Sequence, residues 1–209
     1  MSGFNFVRPA ASYLKEKLSL TTEEEEIAVF GMQLIIYALT GAVSVLAIGW
    51  LLGCFWTTLT VFMTVVVLRL PSGGAHSGSP LVCAIIGMVV TPALGKLAQM
   101  AAPFFNFFSL SLIVVLGLIS SVITFSRLAP VDSPAKPITD TTHRRKLRFY
   151  SILLIFVFAV GQCWLIFNGR AFDLVWAVSL GLWWQAFSLT GSGHRFAVFT
   201  DNLLMKGGE

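Results

Sequence analysis

A long apolar stretch near the start of the chain constrains the fold more than any other feature. Between residues 27 and 68 the sequence runs for 42 residues without a charged side chain. The hydrocarbon core of a bilayer is roughly 30 Å thick, and a helix needs about 20 apolar residues to cross it. The stretch is therefore long enough for two membrane-spanning helices, with a turn predicted at residues 49–53.

The composition extends this prediction to the rest of the chain. Of the 209 residues, 56% are hydrophobic and 11% are charged, whereas about a quarter of the residues in a soluble domain are charged. We predict an all-α, polytopic integral membrane protein with about six transmembrane helices, near residues 27–47, 50–68, 80–95, 104–126, 149–169 and 172–190. The third segment is the shortest, so we predict a short or re-entrant helix there.

The two ends of the chain are more polar than the single transmembrane domain predicted at residues 27–190. Residues 1–26 end in four consecutive glutamates and contain no small-residue cleavage site before the first apolar run. We therefore predict a retained amphipathic and acidic leader rather than a signal peptide. Residues 191–209 are predicted to form a tail.

The distribution of basic residues predicts which side of the membrane each loop faces. With six spans and a cytoplasmic N-terminus, all of the 14 Lys and Arg residues except Lys96 and Arg170 fall on the cytoplasmic side. Cytoplasmic loops carry an excess of Lys and Arg. We therefore predict a multi-pass protein of the cell membrane whose N-terminus, tail and 69–79 loop are cytoplasmic. The net charge of +4 fits an anionic membrane surface better than nucleic acid.

The cysteines and histidines predict neither a disulfide framework nor a metal site. Cys54, Cys83 and Cys163 are odd in number and widely spaced, which is atypical of a disulfide scaffold. His143 and His194 stand in none of the spacings that zinc sites use. We predict no metal and no cofactor.

A polar stretch at residues 69–83 interrupts the apolar sequence. Arg69 ends the second span, and Gly73 and Gly74 provide a backbone that can turn tightly and let another chain approach closely. Taken singly, each feature has an ordinary explanation, because an arginine at the edge of a span anchors topology and paired glycines form turns.

The same stretch combines a histidine, a helix start and a cysteine. Ser79 and Pro80 suit the N-cap and first position of a helix. Cys83 would lie in its first turn, where the helix dipole favours a thiolate, and His76 lies seven residues earlier. A histidine beside such a cysteine can activate it as a nucleophile. A packed cysteine and a solvated histidine remain the alternative.

Two motifs in these loops resemble the AgrB family, the accessory gene regulator membrane endopeptidases of Gram-positive bacteria. The first is Arg69-x4-Gly74-x-His76-x6-Cys83, and the second is the Ala-Pro-Val-Asp sequence at 129–132 with Lys136-Pro137 and a basic run after it. The acidic leader and the short tail match in layout, so the resemblance covers most of the chain.

The resemblance implies a cysteine-type endopeptidase. It would cleave a small quorum-sensing propeptide of the AgrD kind and promote cyclisation to a thiolactone or lactone autoinducer. It implies Cys83 as the nucleophile and His76 as the general base, with Arg69, Gly73 and Gly74 in supporting roles.

Further residues are candidates for contacts with the substrate or with His76. The basic residues suited to an acidic propeptide tail are Lys136, Arg144, Arg145, Lys146 and Arg148. Asp132, Asp140 and Gln185 are candidates for orienting His76.

Two other functions remain open from the sequence. A peptide or solute transporter without peptidase activity would require ionisable residues within the spans, where the nearest acid is Asp173 at an edge. A non-catalytic scaffold, or a homodimer, is compatible with the many small and aromatic residues.

Overall fold

The computed structural model describes residues 7–75, 78–131 and 140–205, and these residues form helices and loops without a β-strand. The prediction of an all-α protein is confirmed. The helices are α1 Arg8–Leu18, α2 Thr22–Leu51, α3 Phe55–Ser72, α4 Pro80–Ala101, α5 Phe107–Leu128, α6 Thr141–Phe167, α7 Phe172–Leu189 and α8 Gly191–Met205, with a short 3₁₀ helix at Ala102–Phe104.

The chain divides into two compact units, residues 1–44 and residues 45–209. In the first unit, a capping box begins α2: Thr21 N donates to Glu24 Oε2 at 2.8 Å, and Glu24 N donates to Thr21 Oγ1 at 3.3 Å. Lys15 of α1 forms an ion pair with Glu25 of α2 at 2.7 Å. The acidic residues of the leader thus start α2 and hold α1 to it.

Helix α7 is the central helix of the second unit. It contacts α3, α4, α5, α6 and α8, and most of its side chains are buried. Leu182 and Leu189 of α7 pack with Leu68 of α3, Phe125 of α5 and Ile155 of α6 in the largest apolar cluster. The surrounding helices expose many large apolar side chains, as expected of helices that face lipid rather than water.

Five described helices are long and apolar enough to cross a membrane: α2, α3, a segment at Leu81–Phe104, α5 and α6. Helix α7 covers the predicted span at residues 172–190 but buries Ser179, Gln185 and Ser188 among its neighbours. Its 18 residues measure roughly 27 Å at 1.5 Å per residue. A sixth span at α7 stays a prediction.

The third apolar segment forms a longer helix than the sequence predicts. Helix α4 continues to Ala101 rather than ending near residue 95, because Lys96 and Gln99 find polar partners at its end. Lys96 Nζ donates to Leu52 O at 3.1 Å, and Gln99 Nε2 donates to Gly53 O at 2.9 Å. A charged residue in this turn therefore does not terminate the helix.

Two glycines allow the backbones of α2, α3 and α4 to pack closely around Thr58. A Cβ added at Gly49 would lie 2.7 Å from the Thr58 side chain, and one added at Gly95 would lie 2.7 Å from Thr58 N. Small residues at such crossings let helices approach in membranes, where packing rather than water exclusion drives association.

We expect Gly95→Ala to lower the free energy of unfolding by about 1–3 kcal/mol, because the added methyl group meets backbone that cannot rotate away. Gly161→Ala in α6 is the matched control, since no atom lies within 4 Å of its added Cβ. That variant should be neutral or stabilised by up to about 1 kcal/mol. Thermal unfolding in detergent micelles measures both, and equal melting temperatures would contradict the close crossing.

Candidate active site

The last turn of α3 presents Arg69, and the chain then turns at Gly73. Gly73 has a φ of 66° and its N–H donates to Arg69 O at 2.9 Å, which ends the helix. A Cβ at Gly73 would lie 2.5 Å from the carbonyl oxygen of Val131. Both the positive φ and this approach require glycine. Val131 N donates to Ser72 O at 2.9 Å, so the loop after α5 holds this turn.

The next two residues bind the start of the 69–83 stretch to the end of α7. Gly74 has a φ of 146°, and a Cβ there would lie 2.7 Å from Ser188 Oγ and 3.5 Å from Arg69 Nη1. Ala75 N donates to Ser188 O at 2.8 Å, and Ala75 O accepts a hydrogen bond from Arg69 Nη2. The guanidinium group of Arg69 is therefore held against the loop that it precedes.

Gln185 on α7 forms hydrogen bonds to the same turn. Its side chain is fully buried, and Nε2 donates to Ser72 Oγ at 3.0 Å and to Gly73 O at 2.7 Å. Among the described residues its Oε1 atom has no hydrogen-bond partner. Of the three candidates for orienting His76, Gln185 thus contacts described residues of the 69–83 loop.

Of the other two candidates, only Asp140 lies within the described residues. Asp140 is the N-cap of α6, and its Oδ1 accepts from Thr142 N at 2.8 Å. Asp132 lies outside the described residues, as do His76 and Lys136.

Cys83 lies in the first turn of α4, as the Ser79-Pro80 sequence predicts. Ser79 is the N-cap, Pro80 is the first helical residue, and Cys83 N donates to Ser79 O at 3.1 Å. The thiol is half-buried, whereas Cys54 is buried and Cys163 is exposed.

A cavity of about 180 Å³ adjoins Cys83 in the second unit. Arg69, Ala75, Cys83 and Ser188 are among the residues that line it, near one end of α3, α4 and α7. Apolar side chains form most of its wall. The lining residues are Val45, Phe62, Val65, Val66, Arg69, Ala75, Cys83, Ile86, Gly87, Thr91, Trp184, Phe187, Ser188, Gly193, Phe196 and Ala197.

The predicted basic residues of α6 lie apart from this cavity lining. Arg145 and Lys146 are exposed in the first two turns of the helix. Arg148 has a structural contact instead, because its Nε donates to Ala129 O at 2.8 Å. Across residues 7–75, 78–131 and 140–205, no three His, Cys, Asp or Glu side chains come together as a metal site.

The structure adds residues that sequence reasoning missed. Ser188 binds the loop, Phe196 and Ala197 of α8 line the cavity, and Asp201 Oδ2 accepts from Gly78 N at 2.8 Å. The spacing of Gln185 and Ser188 was one available signal, since polar residues three apart share a face of a helix. The tail offered no comparable signal, because Asp201 and Glu209 are isolated acids with no distinctive spacing.

Comparisons with known proteins place the sequence in a family. The profile of the family described as Accessory gene regulator B matches residues 7–189. An AgrB-like protein of Clostridium perfringens strain SM101 is 29% identical over 97% of this chain and 98% of its own length. One of Halalkalibacterium halodurans is 27% identical over 90% of this chain and 87% of its own length.

No solved structure matches the chain. The family profile nevertheless extends from α1 to the end of α7 and includes the turn at Gly73 and Gly74, Cys83 and the basic run. The chain belongs to the AgrB family.

Proposed function

We propose that this protein is a membrane-embedded cysteine endopeptidase that cleaves an AgrD-like propeptide through Cys83. The observation that carries the proposal is the half-buried Cys83 at the start of α4, facing a largely apolar cavity that it shares with Arg69. Family membership supports a role in autoinducer processing and implies a membrane setting and an AgrD-like propeptide. The nucleophile, the general base and the ring closure are the proposed part.

In the first step, His76 removes the proton from the Cys83 thiol, and the sulfur attacks the carbonyl carbon of the scissile peptide bond. The C–N bond then breaks, and the leaving amine receives the proton from His76. The products are an acyl-thioester on Cys83 and the released C-terminal fragment of the propeptide.

In the second step, a thiol or hydroxyl of the bound peptide attacks the thioester carbonyl. The carbon–sulfur bond to Cys83 breaks, the proton of the attacking thiol or hydroxyl passes to the Cys83 sulfur, and the peptide leaves as a cyclic thiolactone or lactone. A thioester retains enough acyl reactivity for this exchange, and the apolar cavity walls limit the access of competing water.

Arg69 is suited to stabilise the negative charge that develops during both steps. Arg69 lines the same cavity as Cys83, and its guanidinium group is fixed by a hydrogen bond to the Ala75 carbonyl group, so little reorganisation is needed when charge develops. Cys83 N already donates to Ser79 O. A charged side chain is therefore a better source of oxyanion stabilisation here than that amide.

The exposed residues Arg145 and Lys146 are proposed to attract the acidic tail of the propeptide on the cytoplasmic face. Charges at a surface steer an oppositely charged partner even when they make no contact at the reacting bond. Their position away from the cavity lining fits a role in recruitment rather than in chemistry.

Replacement of the nucleophile tests the mechanism. We expect Cys83→Ala and His76→Ala to abolish cleavage of a co-expressed, epitope-tagged propeptide that carries an amphipathic leader, an internal cysteine and an acidic tail. Cys163→Ala should cleave as the wild type does, because this thiol is exposed and lies apart from the cavity lining. Immunoblotting follows cleavage, and mass spectrometry locates the acyl adduct. Cleavage by Cys83→Ala at the wild-type rate would refute the assignment.

Charge reversal tests recruitment. We expect the double variant Arg145→Glu, Lys146→Glu to raise the KM for the same propeptide roughly tenfold at low salt, since each exposed pair contributes about 0.2–1 kcal/mol. The kcat should change little, and the difference should shrink at high salt because charges are then screened.

The matched control for charge reversal is Arg170→Glu, a single exposed charge predicted on the opposite membrane face. It should leave KM unchanged. An unchanged KM in the double variant would contradict the recruitment role and leave Arg145 and Lys146 only the role of setting the orientation of the protein in the membrane.

A further inference from the structure

We propose that the C-terminal helix α8 is part of the active site and that its Asp201 is a positioning residue for the loop that leads into Cys83. The inference rests on the proposed cysteine peptidase function. It assigns a role to residues beyond the family match, which ends at residue 189.

The start of helix α8 packs closely against the end of α7. A Cβ at Gly193 would clash with the carbonyl oxygen of Phe187 and would lie 2.9 Å from Ser188 Cα, so α8 begins in backbone contact with α7. The Phe196 ring packs edge-on against Trp184 at 6.0 Å and against Phe187 at 6.1 Å, measured between ring centroids. These aromatic contacts, together with the close packing of Gly193 against the backbone of Phe187 and Ser188, fix the direction in which α8 leaves α7.

Helix α8 forms one wall of the cavity beside Cys83. Gly193, Phe196 and Ala197 line it together with Arg69 and Cys83. Phe196 and Ala197 therefore face the space that a bound peptide would occupy on the proposed pathway. A helix that only continued the chain after α7 would not be expected to line the same cavity as Cys83.

One turn further along, α8 contacts the loop itself. Asp201 Oδ2 accepts a hydrogen bond from Gly78 N at 2.8 Å, and Gly78 lies one residue before the Ser79 N-cap of α4. Asp201 is the sole acidic residue of α8. A carboxylate forms a stronger hydrogen bond to a backbone N–H than a neutral oxygen does.

Among the described residues, the loop between α3 and α4 is thus bound both near its start and near its end, by different elements. Ala75 is bound by Ser188 of α7 and by Arg69, and Gly78 is bound by Asp201 of α8. The first attachment fixes the entry of the loop and the second fixes its exit, directly before the helix that carries Cys83. Loss of the second attachment should displace the loop relative to the thiol, and small displacements of reacting groups are costly to rate.

The test compares Asp201→Ala, Asp201→Asn and the neighbouring exposed control Asn202→Ala in the full-length protein. With the tagged propeptide described above, we expect Asp201→Ala to lower kcat roughly ten- to hundredfold with a smaller change in KM. Asp201→Asn should recover most of the kcat, because its amide oxygen can still accept from Gly78 N. Asn202→Ala should match the wild type.

A second readout does not depend on propeptide cleavage. The rate at which iodoacetamide alkylates Cys83, measured by mass spectrometry of the Cys83 peptide, should change severalfold in Asp201→Ala and return towards the wild-type rate in Asp201→Asn. If Cys83→Ala still cleaves the propeptide, the peptidase assignment fails, but the alkylation rates still report whether Asp201 positions the loop around the thiol.

The proposal is overturned if folded Asp201→Ala keeps both the wild-type kcat and the wild-type alkylation rate. It is also overturned if Asp201→Asn is as impaired as Asp201→Ala in both readouts. Should Asp201→Ala fail to fold, Gly78→Pro removes the same hydrogen bond from the donor side. That variant must reproduce the altered alkylation rate, and a wild-type rate in it overturns the proposal.

Discussion

The attachment of the α3–α4 loop to the end of α7 is the interaction on which the candidate site depends. Ser72 at the start of this loop is fully buried, and buried backbone N–H and C=O groups need hydrogen-bond partners within the protein. Gln185 provides donors to Ser72 and Gly73, and Ser188 O accepts from Ala75. Without these contacts the Gly73 carbonyl group and the Ala75 N–H group would lose the hydrogen bonds that hold the turn after Arg69.

This attachment explains why α7 differs from the other helices. Its polar groups form hydrogen bonds inside the protein. Ser179 Oγ and the Val175 carbonyl oxygen accept from Gln162 Nε2 of α6 at 2.8 and 2.9 Å, and Gln185 binds the α3–α4 loop. These polar groups are bonded to neighbouring helices rather than aligned along a path through the protein. They therefore support a scaffold for a site at one end of the helices, and they give a solute-transport function no specific support.

The sequence predicted much of this arrangement because the strongest signals are local. The apolar runs indicate helices of known minimum length, Pro80 marks a helix start, and Gly73 and Gly74 mark a turn whose backbone angles require glycine. The end of α4 was not predictable in the same way. Lys96 reads as a stop signal in the sequence, and only its distant partner, the Leu52 carbonyl group, shows why the helix continues.

The spacing of Gln185 and Ser188 marks a polar face of α7, but the loop partners of Ser188 and Asp201 are set by tertiary contacts that no local pattern encodes. Ser188 lies 113 positions beyond Ala75, and Asp201 lies 123 positions beyond Gly78. A hydrogen bond across such a separation leaves no periodic trace in a single sequence. The Arg69 contact with Ala75 is the opposite case, because the two residues are six apart and the tight glycine turn between them brings them together.

The position of the cavity also bears on why a proposed thioester would cyclise rather than hydrolyse. Well-oriented intramolecular nucleophiles reach effective concentrations of about 10⁵ M or more, far above that of bulk water. Ring closure can therefore prevail without a fully dry site, provided that the peptide is held folded next to Cys83. Aromatic walls from Trp184, Phe187 and Phe196 are suited to hold apolar peptide side chains in this way. Because Phe196 belongs to α8, the balance between cyclic and hydrolysed product should respond to changes in the C-terminal helix even where the rate of the first step does not.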